Sequence, residues 1–442
     1  MDGTVRTDAI DPYTPHSGDS GYRAERYDLA IEYRVATNRL TATATITATA
    51  DTDGPLDAFA FDLHGLTVDG VTVDGVRARK YSTSTHKLTV TPQTPVDAGA
   101  PFTIAVRYRG APKPVRSPWG TLGWEELADG VIVASQPVGA PSWFPCNDLP
   151  TQKATYRIQV TCESEYDVLA NGALVGRESA RGGTRWVFEV TEPMATYLAT
   201  VQIGRYRTHR LRNTPVPTTL HHPADLQHSS RVDFGRLRDM LTLFIDRFGP
   251  YPFAEYAVVV TDDELEIPLE AHGLAVFGRN HVDGHHGSDR LIAHELAHQW
   301  FGNSLTLGRW QDIWLHEGFA CYAEWLWAEE HDGVPADQNA REHRERIARE
   351  PLDLVVADPG QHDLFDDRVY KRGALALHAV RRLIGDDRFF TGLRALTARH
   401  RHGTVSTTDV IAAFAGTTTP GDGAAVRSAI AQWVDARTVP ER

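Results

Sequence analysis

Residues 291–317, LIAHELAHQWFGNSLTLGRWQDIWLHE, organise the rest of this chain. They contain His294, Glu295 and His298 in the spacing H-E-x-x-H, inside an apolar pattern that predicts a helix. Residues four apart on a helix lie about 40° apart on one face, so the two imidazoles can converge on one metal ion. Glu295 lies beside that face, where its carboxylate can act on a water molecule without becoming a ligand.

A third metal ligand is expected from the second half of the stretch. Neutral imidazole and carboxylate groups suit zinc, and a catalytic zinc site needs a third protein ligand and an open position. Glu317 follows a glycine-containing connection and lies in a second helical pattern over residues 312–330. Because two helices with a short link can pack against each other, we expect Glu317 to join the two histidines and to complete a site for one Zn²⁺ per chain.

Four segments of the sequence resemble one family. They are FPCNDLPTQKATY (144–156), HELAHQWFGN (294–303), WLHEGFA (314–320) and VYKRGALAL (369–377). Together they are similar to the gluzincin zinc aminopeptidases, the family that includes aminopeptidase N and the leukotriene hydrolase. The resemblance implies a saddle-like N-terminal β domain and a thermolysin-like catalytic domain. It also implies that the substrates are peptides with a free N-terminus, from which the first residue is hydrolysed.

The resemblance further implies roles for three residues outside the zinc motif. Tyr370 lies at the family's Tyr-x-x-Gly position, where the hydroxyl group hydrogen-bonds the oxyanion of the reaction. Glu270 lies where the family's G-x-M-E-N stretch binds the terminal amine, although only the glutamate matches and Pro268 has no N–H to donate. Gln136 matches a residue that helps to hold the amine; where many relatives have a carboxylate, it offers a neutral hydrogen-bond acceptor.

The pattern along the chain predicts two domains. After a polar lead-in of about 20 residues, alternating runs such as RLTATATITATA (39–50) predict an antiparallel β domain within residues 1–204. Helical periodicity, as in RVDFGRLRDMLTLFIDRFG (231–249), then predicts a mainly α domain over residues 205–442, which the resemblance identifies as a thermolysin-like α+β metallopeptidase domain. Larger relatives continue into a helical domain that covers the site. We therefore expect a short form with a more open site, or with an oligomeric partner as its lid; the sequence does not indicate the oligomeric state.

Composition argues against some classes of partner. A net charge of −13 over 442 residues argues against a nucleic-acid partner, because a phosphate backbone selects for basic surfaces. The sequence has no run of about eighteen apolar residues and no apolar segment near its N-terminus, so it predicts neither membrane insertion nor export. The three scattered cysteines, Cys146, Cys162 and Cys321, fit reduced thiols, and we expect a cytoplasmic protein.

Two alternatives to an aminopeptidase stay open at this point. An endopeptidase or another hydrolase could use the same zinc site, because the strand around Pro268 departs from the family pattern. A non-catalytic binding relative is disfavoured, because such proteins usually lose a ligand, the base or the tyrosine, and all of these are present.

A second group of histidines lies in NHVDGHHGSD (280–289), namely His281, His285 and His286. A metal site is one interpretation of this group. The glycines that separate the histidines are more typical of a solvated loop, and we favour the loop.

Overall fold

The computed structural model describes residues 11–418 and 422–440, and it contains the predicted β domain followed by a mainly helical catalytic domain. In these residues the strands are β1 (Tyr22–Arg34), β2 (Arg39–Ala50), β3 (Phe59–Asp62), β4 (Thr67–Val73), β5 (Val76–Arg77), β6 (Lys80–Thr83), β7 (Lys87–Thr91), β8 (Pro101–Gly110), β9 (Val115–Ser117), β10 (Gly120–Leu127), β11 (Gly130–Ala134), β12 (Lys153–Cys162), β13 (Asp167–Ala170), β14 (Ala173–Ala180), β15 (Gly183–Ala195), β16 (Val201–Gly204), β17 (Arg207–Arg210), β18 (Thr218–His222), β19 (Tyr256–Val260), β20 (Leu269–Ala271), β21 (Leu274–Phe277), β22 (Thr306–Leu307) and β23 (Thr404–Val405). The α-helices are α1 (Gln227–Asp233), α2 (Leu237–Phe248), α3 (Asp289–Ala297), α4 (Trp314–Trp327), α5 (Ala336–Ile347), α6 (Asp367–Ile384), α7 (Asp386–Arg399), α8 (Thr407–Ala415) and α9 (Asp422–Val434).

The N-terminal part is built on an eight-stranded sheet in the order β14-β15-β12-β1-β2-β8-β4-β5. Its strand β2 buries Leu40, the alanines and Ile46 on one face and turns its threonines to the other, as the alternation in the sequence predicts. A five-stranded sheet (β13-β16-β11-β10-β9) and a three-stranded sheet (β3-β7-β6) complete this part. Strand β16 ends at Gly204 and β17 begins at Arg207; we propose the domain boundary in this connection, at residues 204–205.

One strand pair departs from the predicted antiparallel arrangement. Strands β1 and β12 are parallel neighbours in the centre of the large sheet, with Tyr27 opposite Tyr156. The two tyrosine rings stack with their centroids 5.0 Å apart. Alternation of polar and apolar residues predicts that a segment is a strand and which face it buries, but it does not predict which strand lies beside it or in which direction.

Residues 11–20, which lie in the segment predicted to be a polar lead-in, pack against the rest of the protein. Asp11 and Tyr13 are buried, and the carboxylate of Asp11 accepts a hydrogen bond from the backbone N–H of Trp310 in the helical part. The hydroxyl group of Tyr13 donates to Asp358 and accepts from the N–H of Gly360. This segment therefore links the two parts of the chain.

The helical part packs around a second five-stranded sheet in the order β17-β18-β19-β21-β20, which leaves β20 at the edge. Helix α4 lies against α3 and α6. Helices α4 and α6 meet at Gly318 and Gly373, where a Cβ atom added to either glycine would lie 2.8 Å from the Cα of the other. Only glycine permits this approach. Among the described residues, no helix is both long enough and apolar enough to cross a bilayer.

Candidate metal centre and active site

The structure brings the three predicted metal ligands together. His294 lies in the last turn of α3, His298 follows its end, and Glu317 lies in the first turn of α4. Oε2 of Glu317 is 3.4 Å from Nε2 of His294 and 3.5 Å from Nε2 of His298. Ligand atoms bound tetrahedrally to zinc at about 2.0 to 2.1 Å lie about 3.4 Å from one another. The three side chains therefore fit a zinc ion in both chemistry and spacing.

Both imidazoles are oriented by a partner on their other nitrogen. Nδ1 of His294 lies 2.7 Å from Oε1 of Glu324, and Nδ1 of His298 lies 3.0 Å from the carbonyl oxygen of Phe301. Because both partners accept hydrogen bonds, each Nδ1 carries a proton, and Nε2 is the nitrogen of each ring that faces Glu317 and can bind a metal ion. Glu324 is not among the site residues predicted from the sequence. Its signal was present, because it lies seven residues, or two helical turns, after Glu317 on the same face of α4.

The electrostatics of this cluster favour a cation. Burial lowers the pKa of His294, but hydrogen bonds to Glu317 and Glu324 outweigh this and raise it to about 9. Burial also opposes the charge on His298, but the negative charges of Glu317 and Glu270 raise its pKa to about 10. The pKa of Glu317 lies below its ordinary value, because the two histidines outweigh the effect of burial. The negative charge that holds protons here also attracts a divalent metal ion.

Glu295 lies in the same cluster, and one oxygen of its carboxylate is available to accept a hydrogen bond. The side chain is buried, and its Oε2 has no hydrogen-bond partner among the described residues. Burial raises the pKa of Glu295 to about 7; the two histidines lower it, while Glu270 and Glu317 raise it further. A carboxylate with a free oxygen and a pKa near neutrality is suited to accept a proton from water and to release it again.

Glu270 joins the site from the edge strand β20. One carboxylate oxygen of Glu270, one of Glu295 and a ring nitrogen of His298 all lie within 4.8 Å of one another. Gln136, which follows β11 in the N-terminal domain, lines a cavity of about 20 Å³ together with Glu270 and Tyr197. A space of that size holds one water molecule, and an ammonium group is similar in size. Nε2 of Gln136 is buried and has no hydrogen-bond partner in the part of the chain that the structure describes.

Tyr370 approaches the metal centre from α6. Its ring stacks on that of His294, with centroids 6.0 Å apart and an interplanar angle of 17°. Burial, together with the negative charges of Glu317 and Glu270, raises the pKa of Tyr370 well above its ordinary value. The hydroxyl group therefore keeps its proton at neutral pH and can donate it in a hydrogen bond. The contact of Gly318 with Gly373 holds this helix directly against α4, which carries Glu317.

The loop histidines do not form a second metal centre in the described residues. Nδ1 of His281 accepts a hydrogen bond from the N–H of Gly278 at 3.1 Å, and Nδ1 of His286 lies 3.3 Å from a carboxylate oxygen of Asp289. The carboxylate of Asp233 accepts hydrogen bonds from backbone N–H groups of this loop. The groups of side chains close enough to share a metal ion, within residues 11–418 and 422–440, both lie in the site described above.

A β domain followed by a helical domain that carries H-E-x-x-H and a downstream glutamate defines the class of two-domain zinc metallopeptidases. The chain belongs to peptidase family M1: the profile of the peptidase M1 N-terminal domain matches residues 23–198, and that of the peptidase family M1 domain matches residues 234–433. This membership and the fit of His294, His298 and Glu317 identify the metal as a catalytic zinc.

Similar proteins include enzymes of several sizes. The M1 zinc metallopeptidase of Deinococcus radiodurans is 29% identical, with 98% of each chain covered and a TM-score of 0.87; a mutant of it has been solved with a Tyr-Ser-Ala substrate. Glutamyl aminopeptidase of Bos taurus is 29% identical over 301 residues, which are 63% of this chain and 32% of that protein. Endoplasmic reticulum aminopeptidase 1 of Homo sapiens is 26% identical over 333 residues, 70% of this chain and 35% of that one. The chain thus spans about a third of the length of these curated relatives.

Proposed function

We propose that this protein is a zinc-dependent aminopeptidase that hydrolyses the N-terminal residue from peptides. The observation that carries the proposal is the position of Glu270. One of its carboxylate oxygens lies within 4.8 Å of a carboxylate oxygen of Glu295 and of a ring nitrogen of His298. A negative charge beside the reacting centre suits a positively charged substrate amine. The proposal is supported by the aminopeptidases among the relatives and by the peptide substrate bound to the Deinococcus radiodurans mutant.

His294, His298 and Glu317 would hold the zinc ion. When bound, zinc acts as a Lewis acid and lowers the pKa of water at the site. Glu295 takes a proton from that water through its free oxygen and later delivers it to the leaving amine. The hydroxyl group of Tyr370 donates a hydrogen bond to the substrate oxygen that becomes negative.

The amino end of the substrate is held by Glu270 and Gln136. The cavity that both residues line accommodates an ammonium group, with the carboxylate of Glu270 as its ionic partner. Gln136 contributes an amide oxygen as a hydrogen-bond acceptor. Because the amine is then bound next to the metal centre, cleavage falls after the first residue.

A pair of substrates and one variant test this proposal. The wild-type protein, loaded with zinc, is expected to cleave a leucyl amide with a free amine far faster than its N-acetylated form. Glu270→Ala is expected to lower kcat/KM for the free amine by a hundredfold or more and to change the acetylated substrate little. Equal losses on both substrates, or wild-type preference for the acetylated form, would instead support an endopeptidase or another hydrolase.

We also propose that the protein acts in the cytoplasm on peptides with a free N-terminus. Cys146, Cys162 and Cys321 are free and buried, which is typical of a reducing compartment. Fractionation of the native host, with the protein detected by antibody, tests the location.

A further inference from the structure

Two side chains just after helix α3, those of Gln299 and Asn303, form hydrogen bonds to the turn between β20 and β21. Oε1 of Gln299 accepts a hydrogen bond from the N–H of Gly273 at 2.9 Å, and Nε2 of Gln299 donates to the carbonyl oxygen of Ala271 at 3.1 Å. Nδ2 of Asn303 donates to the same carbonyl oxygen at 2.9 Å. Gln299 therefore bonds to this hairpin as a neighbouring strand would, with one acceptor and one donor.

Because Gln299 is buried, its hydrogen bonds to the turn help to determine where the turn lies. The side chain has no solvent exposure, and both ends of its amide are used on a single turn of backbone. Loss of such a bond would leave a buried amide or backbone group without a hydrogen-bond partner, which carries a free-energy cost. The turn cannot shift relative to Gln299 without that cost.

Gln299 also lies at a special place in the sequence. It directly follows the metal ligand His298, and Ala271 directly follows Glu270. Two peptide links and the hydrogen bonds of Gln299 thus connect the metal ligand to the amine-binding carboxylate. This is a short and stiff connection between parts of the site that lie far apart in sequence.

We propose that Gln299 is a positioning residue that sets the spacing between the metal centre and Glu270. The proposal rests on the proposed function, in which Glu270 binds the substrate amine. In an N-terminal residue the amine nitrogen and the carbonyl carbon that is attacked are only about 2.5 Å apart. An anchor for the amine must keep its distance from the metal to a fraction of an ångström, because a misplacement of about 1 Å can lower a rate a hundredfold. By positioning Glu270, Gln299 thereby supports the removal of one residue at a time.

Two inhibitors that differ by one amine test this role without turnover. Leucine hydroxamate and 4-methylpentanohydroxamic acid share the zinc-binding group, and only the first has an amine. For the zinc-loaded wild-type protein, the ratio of their inhibition constants measures how well the amine is held. Gln299→Met keeps the volume of the side chain and removes both hydrogen bonds; we expect it to reduce this ratio at least tenfold. Its zinc content and its inhibition constant for the amine-free compound are expected to stay within threefold of wild type.

A matched control separates this effect from the general loss of a buried amide. Asn147 is equally buried, and its amide also makes one acceptor and one donor bond to backbone: Oδ1 accepts from the N–H of Asp19 at 2.9 Å and Nδ2 donates to the carbonyl oxygen of Asp19 at 2.9 Å. Asn147→Leu is expected to leave the ratio unchanged. Gln299→Glu provides a second variant if Gln299→Met folds poorly, because it keeps the acceptor for Gly273 and loses the donor to Ala271; we expect an intermediate ratio.

The same measurements on Glu270→Ala keep the two proposals apart. If Glu270→Ala leaves the ratio unchanged, Glu270 is not the amine anchor and the proposed function fails. If Glu270→Ala lowers the ratio but Gln299→Met and Gln299→Glu do not, the positioning role is overturned and the proposed function stands. When both hold, the double variant Gln299→Met with Glu270→Ala is expected to match Glu270→Ala alone, because Gln299 acts through Glu270.

Discussion

Replacement of Glu324 by glutamine is expected to weaken zinc binding without removing a zinc ligand. Glu324 receives a hydrogen bond from Nδ1 of His294 at 2.7 Å, and its other oxygen lies 3.1 Å from Nη1 of Arg290. Burial opposes the charge of Glu324, but the hydrogen bond from His294 and the charge of Lys371 outweigh it and lower its pKa to about 2. The carboxylate is therefore ionised at every pH at which the protein would bind zinc, and it makes His294 a stronger ligand.

The size of the effect follows from the bond that is weakened. A hydrogen bond to a charged group contributes about 1.5 to 3 kcal/mol, which corresponds to roughly ten- to hundredfold in affinity. Loss of the partner that orients a metal-binding histidine lowers metal affinity by a similar factor, about 10 to 100. We therefore expect the Kd for Zn²⁺ of Glu324→Gln to be ten- to hundredfold higher than that of the wild type.

Competition with a chromophoric chelator measures this Kd on metal-free protein. Glu329→Gln is the matched control, because Glu329 lies just beyond the end of α4 and pairs with Arg381 at 2.8 Å, away from the ligands. At saturating zinc, kcat/KM of Glu324→Gln is expected to recover to within a few-fold of wild type. A Kd for Glu324→Gln equal to those of the wild type and of Glu329→Gln would refute the reasoning.

Three further predictions concern the base, the oxyanion donor and Lys153 of β12, whose Nζ lies 2.8 Å from the carbonyl oxygen of Ser304 in the helical domain. Glu295→Gln is expected to retain zinc, by elemental analysis, and to lose turnover by about 10² to 10⁴-fold; activity within tenfold of wild type would remove the assigned base. Tyr370→Phe is expected to lower kcat by about 10² to 10³-fold with little change in KM, and a change confined to KM would contradict an oxyanion role. Burial lowers the pKa of Lys153 from 10.5 to about 7, so between these pH values the unfolded chain binds a proton that the folded protein does not, and stability rises with pH. In denaturant titrations, the unfolding free energy of the wild type minus that of Lys153→Met is expected to rise by on the order of 4 kcal/mol from pH 7 to pH 10.5; a constant difference would be inconsistent with a lowered pKa.

The metal centre could be predicted from the sequence because helical geometry defines it locally. The four-residue spacing of His294 and His298 needs nothing beyond a helix to bring the rings together. Glu317 was predicted from a short link and a second helical pattern, and the structure places it 3.4 and 3.5 Å from the two rings. The confirmed order of a β domain and a helical domain likewise follows from periodicity, which changes from two to 3.6 along the chain.

Contacts between distant segments could not be predicted in this way. The hydrogen bonds of Gln299 to the β20–β21 turn join residues that lie far apart in sequence, and no local pattern predicts such pairs. The parallel pairing of β1 with β12 depends on which strand approaches, and alternation along a single strand is the same for either direction. Polar composition predicts a lead-in of about 20 residues, yet within it the carboxylate of Asp11 is buried and accepts a hydrogen bond from a backbone N–H of the other domain.

Helices α4 and α6 touch at Gly318 and Gly373, and no side chain lies between their backbones at that point. Glu317 adjoins Gly318 and Tyr370 lies three residues before Gly373, so this contact sets the spacing of the two helices beside both side chains. A compound that contacts both side chains would bind two groups whose separation is already set by this contact. Little conformational entropy of the protein would therefore be lost on binding.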